Sequence, residues 1–408
     1  MNFLIYLISS ATSLIGSQMQ SIIIPIYILN ITNSGMQMSK AATSFLVIRL
    51  LVTPFSGILA DRFNRKHIMI ISDICSFLVV GGFVSFISLT PDTIIFMQCI
   101  LVAISAVFSS ASSAIFSELT FKGSIERCNS VYGSMINFTY IFTPVVALSL
   151  YNFTSLKFIF TLNAVTFLLS ACLESLLAYT FQERKLSRSN FSLKELTTSY
   201  TPVINYLMAK REILGVFSFA VLLNFFYNPV LVIFIPYFIL KVLNLENTYV
   251  GYFESLWGGG LLLGSLLLVK YIKRYNFRSK IALFLIGQLT IFVFFFTGNN
   301  LMPLNIYLVA AGLLTVICAL LNTFVNTPLF SYLHIVVDSH IKGRFFSFLQ
   351  IFLQGITPLS YMLLGLILDR FTNISIAISL TSIVYIIAIF LYFHRSPIGR
   401  SYLLSNET

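Results

Sequence analysis

Charge is what this sequence has least of. Only 10 % of its 408 residues are charged, 25 basic and 14 acidic, too few to cover the surface of a water-soluble protein of this length. Cysteine is sparse as well. Cys75, Cys99, Cys128, Cys172 and Cys318 include no CxxC and no paired spacing, which sets aside a disulfide framework, a zinc finger and a thioredoxin-like motif. The four histidines form no HExxH and no GxxxxGK[ST] occurs, so nothing supports a zinc hydrolase, and an ATP-driven pump would need its ATPase on a separate chain. The bases are not gathered into one stretch, against a nucleic-acid partner. An intramembrane enzyme needs a nucleophile with its base, or paired acids, at one depth, and the candidates here are scattered. No cofactor is expected.

What is abundant is apolar sequence: 57 % of the residues, with a mean hydropathy of +0.91. A helix needs roughly 20 apolar residues to cross a bilayer, and the sequence predicts twelve spans: 3–29, 38–60, 68–89, 94–117, 129–151, 158–180, 213–240, 248–270, 280–297, 303–328, 345–368 and 374–393. The first apolar run is longer than a signal peptide's and lacks a basic start, so it is expected to remain as span 1. Twelve spans put both termini on one side. Of the 25 Lys and Arg, only Lys40, Lys157, Lys241 and Arg370 fall in loops of the far side and Arg49 lies inside span 2, leaving twenty on the side of the termini. That asymmetry predicts cytoplasmic termini in an inner membrane.

The longest polar interval, 181–212, follows six spans. It predicts an N-terminal six-helix bundle (1–182), a cytoplasmic linker (183–212), a C-terminal bundle (213–394) and a cytoplasmic tail (395–408). In the linker Ser192 and Glu195 read as a capping box, and Leu193, Leu196, Tyr200, Val203, Ile204 and Leu207 recur at helical spacing, so a helix lying on the inner membrane surface, disturbed at Pro202, is expected. The halves echo each other. Gly57-Ile-Leu-Ala-Asp61-Arg62-Phe63 reappears as Gly365-Leu-Ile-Leu-Asp369-Arg370-Phe371, and Thr143-Pro144 as Thr357-Pro358.

Gly57-Ile-Leu-Ala-Asp61-Arg62-Phe-Asn64-Arg65-Lys66, between spans 2 and 3, resembles motif A of the major facilitator superfamily, and Lys342-Gly343-Arg344 before span 11 is similar to the family's second-half loop. Gly57 is expected to allow tight helix contact, Asp61 to face a helix N-terminus, Arg62, Arg65 and Lys66 to hold the turn in the cytoplasm, and Asn64 to take the left-handed backbone of the family's usual glycine. The resemblance implies an all-α membrane fold of twelve helices in two pseudo-symmetric six-helix bundles, a gate that pairs these bases with Asp73 and Glu118, and transport by alternating access. Asn33-Ser34-Gly35, Asp73 and Lys342-Gly343-Arg344 are most similar to the macrolide-efflux and siderophore-export branch of drug:proton antiporters. That implies a monomer exporting a small amphipathic organic compound against protons, with import of a nutrient as the alternative.

Polar residues inside spans are expensive and so mark function or tight packing. Arg49 lies twelve residues before Asp61, roughly 18 Å along the helix, with Gln350 and Gln354 of span 11 as expected neighbours. Glu254 is the deepest acid of the second half and, with Asp73, a coupling candidate. The family's cavity-lining spans carry Gln18 and Ser21, Ser105 and Ser109, Asn224 and Asn228, and Asn322 and Asn326, the asparagines at i, i+4 on one face. Reporter tags at 33–37, 91, 154 and 299 are expected on the outer side and tags at 64, 123, 190 and 276 in the cytoplasm; a cytoplasmic signal from 91 or 299 would overturn the orientation.

Overall fold

The computed structural model describes residues 2–119, 125–179, 193–271 and 277–371, with 382, 383 and 386. Helices follow one another with no strand among the described residues: α1 Asn2–Thr32, α2 Gly35–Arg62, α3 Arg65–Phe86, α4 Pro91–Leu119, α5 Ile125–Phe153, α6 Leu156–Ser175, α7 Leu193–Ala209 and α8 Arg211–Pro229. A π-helical segment (Val230–Phe234), α9 (Ile235–Tyr237) and a second π-helical segment (Phe238–Val242) lead to α10 Asn247–Tyr271, α11 Phe277–Thr297, α12 Leu304–Val336 and α13 Lys342–Arg370. Ten of the described helical stretches are long and apolar enough to cross a membrane. Apart from 382, 383 and 386, the expected twelfth span (374–393) lies outside the described residues, as do the tail and the Ser192 cap.

Local chemistry explains where these helices begin. Ser34 Oγ accepts from Gln37 N, Ser155 Oγ from Phe158 N and Asn64 Oδ1 from Lys66 N, each satisfying an amide that a helix start leaves open. Asn33, at φ 52°, takes the left-handed step between α1 and α2. Many hydroxyls inside the helices bond back to the preceding turn, as Thr12 does to Ile8 O (2.8 Å) and Thr290 to Ile286 O (2.9 Å), so that these face an apolar environment without an unpaired donor. Large apolar side chains turn outward, with Leu78 61 % exposed and Val309 66 %. That is the surface of a protein solvated by lipid.

Two expectations, the end of span 303–328 and a disturbance at Pro202, are corrected. α12 does not end at Pro328 but runs on to Val336, and α7 passes through Pro202 unbroken. Nor is the apolar face of α7 left for the membrane surface, since Val203 and Leu207 are buried in one cluster with Phe217, Leu333 and Phe345.

The chain forms two compact units, Met1–Ser189 with Ile235–Ser255, and Asn190–Phe234 with Leu256–Thr408. The change of unit thus falls in the middle of spans 7 and 8. In unit 1, α3 packs along α6 and α4, α1 along α6 and α5, and α2 along α4; Tyr6, Met69, Ala111 and Ile115 are buried together. In unit 2, α8 packs on α13 and α11 on α12.

Glycine marks the closest approaches. A Cβ at Gly16 of α1 would collide with Thr166 Oγ1 and Asn163 Oδ1 of α6, and one at Gly251 would lie 2.7 Å from Pro144 O. A Cβ at Gly57 would meet nothing within 4 Å, so tight contact is not what the glycine of the α2 motif provides in this conformation. Gly16→Val is therefore expected to destabilise the folded protein by about 1–3 kcal/mol through overpacking, while Gly57→Ala leaves stability within about 0.5 kcal/mol. Thermal unfolding of the solubilised protein checks both, and equal melting temperatures for the two variants would contradict the packing.

Candidate functional site

Unit 1 holds a cavity of about 340 Å³ between α1, α2, α3, α4, α5 and α6. Gln18 and Ser21 of α1, Arg49 of α2, Asp73 of α3, and Ser105 and Ser109 of α4 all line it, with Tyr132 and Tyr140 of α5 and Asn163 of α6. Those six were expected from the sequence; the structure brings them to one space. Apolar walls are added by Leu14, Leu101, Phe108, Ile136 and Phe167.

One side of the cavity is fixed by a chain of buried amides. Gln20 Nε2 donates to Gln98 Oε1 at 2.9 Å, and Asn163 Nδ2 donates in turn to Gln20 Oε1. All three are at most 6 % exposed, so in a low-dielectric interior each bond spares an unpaired amide. Gln20 and Asn163 were not picked out from the sequence, because nothing in helical spacing says that α1 and α6 meet there.

A second omission is an acid. Glu174, at the end of α6, is 0 % exposed and Asp73 is 2 % exposed. Ser13 Oγ donates to Asp73 Oδ1 at 3.3 Å, and Ser170 Oγ lies 3.4 Å from Glu174 Oε1. The rule that selected Asp73, an ionisable side chain inside a span, selects Glu174 equally.

Unit 2 contains a smaller cavity of about 180 Å³. Asn224, Asn228, Asn322 and Asn326 line it as the i, i+4 spacing predicts, together with Gln288, Tyr227 and Trp257. Asn228 Nδ2 donates to Asn224 Oδ1 (2.8 Å) and Asn326 Nδ2 to Asn322 Oδ1 (2.7 Å). The indole of Trp257 lies 5.5 Å from the Tyr227 ring. Amides over an aromatic wall suit a neutral hydrogen-bonding group.

The α2–α3 turn ties three helix ends together. Arg65 Nε donates to Ala60 O at 3.2 Å and its guanidinium pairs with Glu118 at the end of α4. Tyr179 Oη donates to the other Glu118 oxygen at 2.6 Å; burial, and then the Glu118 carboxylate, push the Tyr179 phenol up to about 12, so it stays a donor. Lys66 Nζ reaches Ser175 O and Leu177 O, both at 2.7 Å, at the end of α6, where a cation is favoured by the helix dipole. Asn64 sits at φ −61° as the cap of α3, so the expected left-handed backbone is corrected: its side chain, not a positive φ, is what the turn uses. Arg62 is exposed, and Asp61 falls in the last turn of α2.

The remaining expected residues are spread out. Glu254 lies on the part of α10 that belongs to unit 1, half-buried, and lines neither cavity. Gln354 Nε2 bonds Gln350 Oε1 within α13 at 3.4 Å; both belong to unit 2, whereas Arg49 belongs to unit 1. Lys342, Gly343 and Arg344 form the first turn of α13. Among the described residues no group of three or more His, Cys, Asp or Glu is placed to hold a metal.

Comparison with known proteins gives a consistent answer. The profile of the Major Facilitator Superfamily matches residues 6–359. Macrolide efflux protein A of Streptococcus pyogenes is 24 % identical over 373 residues, 88 % of this chain and 87 % of that protein. The uncharacterized MFS-type transporter YfiS of Bacillus subtilis (strain 168) is 32 % identical over 142 residues, which spans only 33 % of YfiS and 34 % of this chain. Among solved structures, the nucleoside transporter NupG superimposes with a TM-score of 0.75 over 97 % of this chain and 99 % of its own, at 14 % identity, a likeness of fold.

The Arg65 guanidinium is 8 % exposed and the Glu118 side chain 38 %. Removing the acid takes the opposite charge from a largely buried cation that keeps its bond to Ala60 O, so Glu118→Gln is expected to lower stability by about 1–3 kcal/mol, the penalty for a buried pair reduced for the exposed partner. Tyr179→Phe removes one hydrogen bond, about 1 kcal/mol. An unchanged melting temperature in Glu118→Gln would contradict the network.

Proposed function

The chain belongs to the Major Facilitator Superfamily, a multi-pass transporter and not an enzyme, and from that premise we propose that it exports amphipathic organic compounds by alternating access, driven by protons. The observation that carries this is the unit-1 cavity, whose hydroxyls, amides and one guanidinium share a space with apolar and aromatic walls. Ligand sites of about 300–1,000 Å³ with this mixture hold one part of a molecule by hydrogen bonds and the other by apolar contact. The full-length similarity to a macrolide efflux protein supports a bulky amphipathic cargo.

In this reading the two six-helix bundles, 1–182 and 213–394, rock about a central pathway, with 183–212 linking them and 395–408 as a tail. Gly57, Asp61, Arg62, Asn64, Arg65 and Lys66 close the cytoplasmic side with Lys342, Gly343 and Arg344. Asp73 and Glu254 are the candidate proton carriers. The protein works as a monomer in the inner membrane with both termini in the cytoplasm.

A second reading, import of a small nutrient, draws on the amide-lined cavity of unit 2, where Asn224, Asn228, Asn322 and Asn326 suit a neutral polar solute, and on the fold shared with a nucleoside transporter. Labelled macrolide and labelled nucleoside, offered to everted vesicles containing the full chain, separate the two. Export predicts macrolide accumulation when the vesicles are energised and its loss on adding a protonophore. Nucleoside uptake in right-side-out vesicles, with no macrolide accumulation in everted ones, would overturn it.

A further inference from the structure

Two carboxyl groups are buried in unit 1 on helices that pack along each other, Asp73 on α3 and Glu174 on α6. Asp73 lies about two turns into α3, and Glu174 is in the last turn of α6. α1 links them through hydroxyls: Ser170 Oγ, 3.4 Å from Glu174 Oε1, reaches Ser9 O at 3.1 Å, and Ser13, one turn further along α1, has its Oγ 3.3 Å from Asp73 Oδ1. A hydroxyl has one proton to give. Given to Ser9 O, it leaves Glu174 Oε1 without a donor.

The other two oxygens, Asp73 Oδ2 and Glu174 Oε2, are fully buried and have no hydrogen-bond partner among the described residues. Two ionised carboxylates cannot be left so in an apolar interior. Glu174 sits in the last turn of α6, at the negative end of the helix dipole.

The charged and titratable groups on the surrounding helices do not compensate the pair. α1 contributes Tyr6, whose hydroxyl is 2.8 Å from Ser112 Oγ. Arg49 of α2 and Tyr132 and Tyr140 of α5 line the cavity that Asp73 also lines. Glu118 of α4 is held by Arg65 and Tyr179, and Lys66 spends its ammonium on the carbonyls of Ser175 and Leu177. None of these is hydrogen-bonded to either carboxyl among the described residues.

We propose that Asp73 and Glu174 form a proton-binding site in which the two carboxyls share one exchangeable proton, passed between them through Ser170 Oγ and delivered from the unit-1 cavity. Asp73 is the entry, since it lines that cavity and Glu174 does not. Protonated Glu174 donates to Ser170 Oγ and frees that hydroxyl to remain on Ser9 O. No bond other than O–H is made or broken. This rests on the proton-driven reading above and assigns the step to a pair that includes a residue outside it, in place of Glu254.

The test needs no transported substrate. In purified full-length protein in lipid nanodiscs, the infrared C=O stretch of a protonated carboxyl is followed as pH rises. The expected result is a titrating band that Asp73→Asn and Glu174→Gln each remove or move by about a pH unit, that Glu254→Gln leaves in place, and that sodium at fixed pH does not alter. Ser170→Ala, the mildest change, keeps the band and shifts its midpoint, so the proposal stays testable if either acid variant misfolds. A band unchanged in the acid variants and in Ser170→Ala would overturn the proposal, as would loss of the band on adding sodium, which would make the pair a sodium site. A titrating pair combined with macrolide transport indifferent to the proton gradient would uphold the site and refute the coupled reading.

Discussion

Hydrocarbon offers a polar group nothing to bond to, and the rest of this structure is organised around that fact. Serine and threonine hydroxyls turn back on their own helices, as in the Thr12–Ile8 and Thr290–Ile286 bonds. Larger polar side chains are gathered inside each unit, into the Gln20–Gln98–Asn163 chain of unit 1 and the two asparagine pairs of unit 2, where Asn224 also bonds back to Ala220 O. A polar group that neither bonds back nor joins such a network must face water or a ligand. The cavities are where those groups accumulate.

The motif between α2 and α3 serves the same constraint at the membrane edge. Four of its features are satisfied locally, with Asn64 capping α3, Arg65 closing the end of α2 and pairing with Glu118, and Lys66 holding the open carbonyls at the end of α6. The loop is therefore built into the ends of α2, α3, α4 and α6 before any gating role is considered. The change of unit within spans 7 and 8 lies next to another departure from regular helix, the π-helical segments 230–234 and 238–242 that flank Pro236. Such irregular turns are tolerated in lipid only where neighbouring groups satisfy the backbone.

Much of this was legible in the sequence, for physical reasons. Long apolar runs have few folds open to them, so the helices and the membrane followed from length and hydropathy. The i, i+4 asparagines reached one cavity because helical geometry decides which side chains share a face. Adjacency between helices is what spacing does not carry: the bonds of Asp73 to Ser13 and of Asn163 to Gln20 depend on α1, α3 and α6 being neighbours. The same blindness explains the glycines, where Gly57, inside a recognisable motif, faces open space and Gly16, inside no motif, is the point of closest approach. The span read as 303–328 runs on through Pro328 to Val336, because a packed helix in lipid can carry a proline through its interior.

The central claim is that the polar face of α1 and α4 borders a water-filled cavity and not a dry interhelical seam. Cysteine accessibility tests it most directly, because only a hydrated thiol ionises and reacts. In a full-length protein lacking its native cysteines, Ser109→Cys is predicted to react with a membrane-impermeant thiol reagent about tenfold faster or more than Leu78→Cys, which faces lipid and is 61 % exposed at the protein surface. Equal, slow labelling at both positions would contradict the account.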